Sequence, residues 1–259
     1  MKTFREKVAV ITGAGSGMGR YLAILLAKDG ADVCVCDVNE QTLNETVGML
    51  RKYNVSVSSH LLDVSDKESI EALPQKVIDQ HGKVDLVFNN AGVTTGAHFK
   101  DMDENNWDWV MGINFDGVVN STRAFIPHLI NNTEAAIVNT SSIFGMVTVP
   151  GQTVYHATKF AVRGFTESLA LEMAQTNPNL QIHCVHPGHI GTNIAATARM
   201  SDEDFESTQP RSSIFTKNAP KTQQEMGELF REGGMHPSKA AQIILNGVKK
   251  NKSRIFIGL

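Results

Sequence analysis

Val8-Ala9-Val10-Ile11-Thr12-Gly13-Ala14-Gly15-Ser16-Gly17-Met18-Gly19 is the stretch whose reading decides the fold. An apolar, β-branched run ends at Thr12, a glycine-rich turn follows, and helical periodicity takes over across residues 19–28. Such a strand-to-helix turn presents backbone N–H groups and the positive helix end to a pyrophosphate, and glycine lets the ligand approach closely. Gly13, Ser16, Gly17, Met18 and Gly19 are therefore candidate cofactor-binding residues. A glycine pattern alone is a weak signal; its context strengthens it. Asp37 stands eighteen residues beyond Gly19, at the end of a second strand-like run, where an acid accepts the ribose hydroxyls of a dinucleotide. A carboxylate there repels a 2′-phosphate and Ser16 brings no positive charge into the turn, so NAD(H) is expected in preference to NADP(H). Asp37 has a rival reading as the cap of the next helix. The two roles do not readily share one carboxylate.

The strand–helix alternation continues along the chain. Apolar runs at residues 8–12, 32–36, 57–62, 86–88, 136–139 and 182–186 alternate with helical signals at 19–28, 40–52, 65–80, 104–129, 154–175 and 237–250. Residues 255–257 add a candidate last strand. Short, nearly all-apolar strands separated by helices belong to a parallel sheet covered on both faces. The expected architecture is α/β, a doubly wound Rossmann fold with a sheet of about seven strands. Ser65 or Asp66 is placed to cap the third helix, and Pro74 inside it is expected to kink or divide it. Residues 193–235 break the rhythm and are expected to form a substrate lid within one domain spanning 1–259. Ile194, Met200, Phe205, Ile214, Phe215, Met226, Leu229 and Phe230 in this segment have two readings: walls for an apolar substrate, or anchors for surface helices.

Composition excludes several functions. With 259 residues, 41% of them hydrophobic, the chain can bury one large α/β core. A net charge of -3 with scattered Lys and Arg gives no footprint for nucleic acid. No apolar run approaches the ~20 residues that span a bilayer, and no secretory h-region precedes the first strand, so a soluble cytoplasmic protein is expected. Cys34, Cys36 and Cys184 are too few for a disulfide framework. Cys34 and Cys36 share one strand face; lacking helper ligands nearby, they read as core packing rather than a metal pair. His183, Cys184, His186 and His189 resemble a metal cluster, but strand alternation separates them, and no metal is expected.

Tyr155 and Lys159 sit four residues apart, thirteen or more beyond Ser142. Positions i and i+4 share a helix face, which brings the Lys159 ammonium toward the Tyr155 phenol. An unperturbed phenol ionises near pH ~10, and a nearby cation lowers that value, so the pair is expected to make Tyr155 an acid/base near neutrality. Ser142 can hydrogen-bond the same substrate oxygen.

Together T-G-A-G-S-G-M-G, Asp63-Val64, Asn89-Asn90-Ala91-Gly92, Asn114, Ser142, Y-H-A-T-K and Pro187-Gly188 follow one another in an order that resembles the single-domain branch of the short-chain dehydrogenase/reductase family, over residues 7–258. The resemblance implies that Asp63 and Val64 hold the adenine and that Asn90, Ala91 and Gly92 floor the cofactor site. It also implies that Tyr155 and Lys159 contact the nicotinamide end, Lys159 binding its ribose, bordered by Pro187, Gly188, Ile190 and Thr192. Asn114 would link through backbone and water to Lys159, with Tyr155 as acid/base and Ser142 positioning the carbonyl. His156 and His189 read as bystanders. The implied activity is that of an alcohol dehydrogenase or carbonyl reductase, interconverting a small-molecule alcohol with its ketone or aldehyde. The implied assembly is a homotetramer or dimer. A different class of reading is a redox-sensing scaffold that binds NAD(H) with little turnover.

Overall fold

Alternation along β1 (Val8–Thr12) sends Ala9 and Ile11 into one apolar cluster and Val8 and Val10 into another, and every residue of the strand is buried. In the computed structural model, which describes residues 1–208, 220 and 222–258, this pattern is the centre of a sheet covered on both faces. Its other strands are β2 (Asp32–Asp37), β3 (Val57–Leu61), β4 (Leu86–Asn89), β5 (Ala135–Thr140), β6 (Leu180–Pro187) and β7 (Arg254–Ile257). All pairings are parallel in the order β3-β2-β1-β4-β5-β6-β7. The expected fold is thus observed.

Helices α1 (Gly17–Lys28), α2 (Glu40–Leu50) and α9 (Pro237–Lys249) supply Leu22, Leu43 and Ile244 to the cluster on one face. On the other, α3 (Lys67–His81), α5 (Gly117–Leu129) and α6 (Thr153–Thr176) supply Leu73, Phe125 and Leu169. Cys34 and Cys36 lie inside this second cluster, their sulfurs 3.9 Å apart. Strand order reverses between β1 and β4, so the chain leaves their carboxyl ends in opposite directions and opens a crevice there. The Gly13 turn follows one strand and Asn90 the other.

Two expectations need correction. Pro74 does not divide α3, which runs unbroken from Lys67 to His81. Only one intrahelical donor is lost at a proline, and Pro74 is buried with Ile70, Leu73 and Val77 on the inner face. Asp66 caps this helix, accepting from the Glu68 and Ser69 amides. Residues 104–129 form two helices rather than one: α4 (Glu104–Met111) passes through a π-helical segment, Gly112–Asp116, into α5. A π-turn inserts a residue into the helical ladder, and here it brings Asn114 inward to full burial. The stretch 193–235 carries helices α7 (Asp202–Thr208) and α8 (Gln223–Gly233). Ile214 and Phe215 lie outside the described residues. Among the described residues, no helix is long and apolar enough to cross a membrane.

Candidate active site

The turn after β1 is held open by backbone conformation. Gly13 and Gly17 have φ of 65° and 53°, and a Cβ on Gly13 would come within 2.8 Å of the Ala91 backbone. Thr12, which sequence reasoning passed over, fastens the two strand ends. Its hydroxyl accepts from the Asn90 and Ala91 amides, each at 3.1 Å, while the Asn90 carboxamide donates back to the Thr12 carbonyl at 3.0 Å. Ser16 occupies the N-cap of α1 yet makes no side-chain cap bond. The first amides of that helix therefore keep donor capacity at its positive end, beside the crevice.

Asp37 is tied into this turn. Its carboxylate accepts from Gly15 N–H at 2.8 Å and from Asn39 N–H at 2.9 Å. Gly15 had no assigned role, but a Cβ there would lie 2.8 Å from the Asp37 oxygen, so only glycine lets the acid sit so close. The capping rival for Asp37 is overturned: Asn39 caps α2, accepting from Thr42 N–H at 3.0 Å. Arg20, the cation near this turn, is engaged by Glu45 at 2.8 Å and by the Gly15 carbonyl. Asp63 accepts from both the amide and hydroxyl of Ser65.

Ser142, at the end of β5, caps a short 3-10 turn, Ile143–Gly145. Its oxygen accepts from Phe144 N–H at 3.1 Å and its hydroxyl donates to the Pro187 carbonyl at 3.4 Å, while Tyr155, in the first turn of α6, lines the same cavity. Lys159, one turn further along α6, donates to the Thr140 carbonyl at 3.0 Å, its Nζ 5.5 Å from the Tyr155 ring centroid. Here the structure corrects the electrostatic expectation. Burial raises the Tyr155 phenol above its ordinary value, and the neighbouring Ser142 hydroxyl offsets only part of that. Burial also lowers Lys159 to about 8. The Tyr155 shift thus runs opposite to the one expected from a nearby cation.

Asn114 stands behind this cluster. Its carboxamide pairs with Val93 at both ends, accepting from N–H at 2.8 Å and donating to C=O at 2.9 Å, with a further 3.3 Å bond to Thr158. The side chain is thus fully occupied in fixing the loop after β4.

One cavity of ≈ 870 Å³ joins these groups. Of the residues nominated from sequence, Gly13, Ser16, Gly17, Met18, Asp37, Asp63, Val64, Asn90, Ala91, Gly92, Ser142, Tyr155, Lys159, Pro187, Gly188, Ile190 and Thr192 line it. Gly19 and Asn114 do not; they support it from behind. A Cβ on Gly19 would collide with the Gly13 carbonyl. Val38, Trp109, Ile143 and Phe144 also line the cavity and carry no sequence signal of their own.

Residues of the 193–235 stretch form part of the wall. Ile194, Met200, Phe205, Met226 and Phe230 face the cavity, whereas Leu229 is 54% exposed. His189 holds the Phe230 carbonyl at 2.7 Å. His183 and His186 contact the Lys252 and Ser142 carbonyls, so the histidines of this stretch serve three separate backbone anchors.

The turn with open amides, the acid beside it and the glycine cradle fit a dinucleotide, and the buried serine and ammonium with the partly buried phenol fit polarisation of a carbonyl and transfer of a proton. Comparisons agree on the class. The short chain dehydrogenase family model matches residues 7–203, and the chain belongs to the short-chain dehydrogenase/reductase family. It is 39% identical over 261 residues to the proposed oxidoreductase SadH of Mycobacterium tuberculosis, covering 100% of this chain and 88% of that one. It is 37% identical over 186 residues to the 3-oxoacyl-acyl-carrier-protein reductase FabG of Thermotoga maritima, covering 72% of this chain and 75% of the relative. A short chain dehydrogenase/reductase from Burkholderia phymatum, solved in complex with NAD, superimposes with a TM-score of 0.85 at 30% identity, over 99% of this chain and 90% of that one.

Proposed function

We propose that this chain is a nicotinamide-dependent oxidoreductase that interconverts a secondary alcohol and its ketone, or a primary alcohol and its aldehyde, on an apolar small molecule. The observation that carries the reading is the Ser142–Tyr155–Lys159 cluster opening into the same cavity as the glycine turn. Gly13, Ser16, Gly17 and Met18 would receive the pyrophosphate on open amides, Asp37 the adenosine ribose, and Asp63 and Val64 the adenine. Asn90, Ala91 and Gly92 would floor the site, with Pro187, Gly188, Ile190 and Thr192 along the nicotinamide edge. When bound, the nicotinamide supplies the hydride acceptor or donor.

The chain's own residues handle the proton. In ketone reduction, the Tyr155 phenol donates to the developing alkoxide while Ser142 holds the carbonyl oxygen, and burial keeps the phenol protonated and ready. In alcohol oxidation, Tyr155 must first lose its proton, so that direction is favoured by high pH. Lys159 stabilises the anionic form of Tyr155 and binds the nicotinamide ribose. Asn114 holds the adjacent backbone, from which water would relay protons toward Lys159.

NAD(H) is preferred over NADP(H) in this reading. Asp37 puts a negative charge where a 2′-phosphate would stand, and Arg20 is neutralised by Glu45. Residues 193–235 act as a substrate lid whose Ile194, Phe205, Met226 and Phe230 exclude water and select an apolar substrate. A homotetramer or dimer in the cytoplasm completes the reading. Steady-state assay of ketones and aldehydes with NADH and NADPH tests it: activity with apolar ketones, lower KM for NADH and loss in Tyr155→Phe are expected. Equal turnover by Tyr155→Phe would reject the mechanism.

A further inference from the structure

We infer that His156 is a positioning residue, resting on the proposed reaction, which fixes the 143–150 wall of the substrate cavity and, through it, the catalytic serine. The ring is 6% exposed and lies inside the tyrosine–lysine motif, where nothing in the proton-transfer chemistry uses it. Its Nε2 accepts from Val149 N–H at 2.9 Å, and its Nδ1 lies 3.3 Å from the Phe144 carbonyl. One neutral tautomer satisfies both: the proton on Nδ1 donates to Phe144, and the free Nε2 lone pair receives the Val149 proton. The Val149 carbonyl, 3.0 Å from Nε2, takes no bond in that tautomer.

The two bonds pin both ends of the loop that follows β5. Phe144 packs edge-on against the His156 ring at 4.8 Å and edge-on against Tyr155 at 6.3 Å, which makes it a spacer between the histidine and the catalytic phenol. The Phe144 amide donates to the Ser142 oxygen at 3.1 Å. His156 therefore holds the Phe144 carbonyl, and the same residue's amide holds Ser142. Ile143, Phe144, Pro150 and Gly151 from this loop line the cavity. Other ties come from Arg163, which donates to the Gly145 carbonyl at 3.4 Å, from His186 at the Ser142 carbonyl, and from Ala97 N–H, which donates to the Gly151 carbonyl at 3.1 Å. Val149 is 42% exposed, so its amide would find water if the histidine were lost. The loop would then loosen without unfolding the domain.

The test is a comparison of His156→Phe, which keeps the ring packing and loses both bonds, with His156→Gln and His156→Asn, which each restore one, and with Tyr155→Phe. Each is assayed with NADH against a bulky and a small ketone, and its NADH Kd is measured by fluorescence titration. For His156→Phe we expect kcat/KM for the bulky ketone to fall about tenfold, mostly through KM, as expected for two lost hydrogen bonds in a binding wall. The preference for the bulky ketone should shrink, the NADH Kd should stay within about twofold, and Gln or Asn should recover part of the loss. An unchanged KM in folded His156→Phe overturns the inference. So does a loss of NADH affinity in step with activity that neither Gln nor Asn repairs, because that is a general structural defect. If His156→Phe does not fold, Gln and Asn carry the comparison, and parent-like KM in both overturns it. Failure of the reaction itself shows separately, as parent-like turnover by Tyr155→Phe.

Discussion

At residue scale, burial governs the site. Tyr155 is held as a phenol above its ordinary ionisation while Lys159 is lowered to about 8. Ketone reduction needs the phenol protonated and the ammonium charged. Its kcat/KM should therefore be flat below neutrality and fall as pH rises through the Lys159 value, whereas alcohol oxidation, which needs Tyr155 deprotonated and Lys159 charged, should climb toward the Lys159 value and level off above it. A pH–rate profile in both directions checks this; a reduction rate that rises with pH would contradict it. Tyr155→Phe should cost roughly 10²–10⁴ in kcat, the usual range for a positioned acid, with little change in NADH affinity. At the other end of the cavity, Asp37→Ala should weaken NAD binding while leaving NADP binding equal or improved, measured as paired Kd values. These candidate positions were readable from sequence because each is local: a four-residue helical spacing, a turn that needs positive φ, an acid closing a strand. What sequence could not supply was desolvation. Nothing in Y-H-A-T-K shows how far the two groups are withdrawn from water, so the desolvation that raises Tyr155 and lowers Lys159 is not legible there.

At element scale, the strands and their order followed from apolar runs and turn residues, and the helices mostly from periodicity. The errors arose where a tertiary contact overrode a local rule. Pro74 reads as a break, yet α3 tolerates it because the packed inner face outweighs one missing donor. Residues 104–129 read as one helix, yet the π-helical segment at Gly112–Asp116 interrupts them where Asn114 pairs with Val93. Asn114→Ala should release the Val93 loop and lower both kcat and melting temperature, while Asn114→Asp should keep the shape but lose the donor to the Val93 carbonyl. The edge strand offers a milder case. Arg254 on β7 pairs with Glu167 on α6 at 2.7 Å, and Arg163 donates to the same carboxylate at 3.0 Å. Burial raises the Glu167 carboxyl, but these partners more than offset it and hold it below the usual value. The sign follows: this contribution is present above the unfolded carboxylate range and is lost as pH falls through the folded value. Arg254→Ala should lower the melting temperature slightly at neutral pH and make no difference in acid, as checked by thermal melts at two pH values.

At the scale of the whole molecule, a doubly wound sheet places its crevice where strand order reverses, and the chain spends its chemistry there. The glycine turn, the Asn90 loop, Ser142 and the Pro187 turn all leave carboxyl ends of strands, while Tyr155 and Lys159 project from α6. The substrate half is assembled from segments far apart in sequence, including Trp109, Phe144, Ile194, Phe205 and Phe230. That dispersion is why the reaction class was legible in the sequence and the substrate was not. Ligand linkage offers a global check: NADH at a hundred times its Kd should stabilise the fold by about 2.7 kcal/mol, and NADPH at equal concentration by less. The central claim is that Tyr155 delivers the proton in an NAD(H)-dependent carbonyl reduction. It is tested most directly by following NADH consumption with a panel of apolar ketones and aldehydes, parent protein beside Tyr155→Phe. The account predicts turnover by the parent and its near-complete loss in the variant with NADH binding intact; tight NADH binding without turnover of any carbonyl, or equal turnover by both proteins, would contradict it.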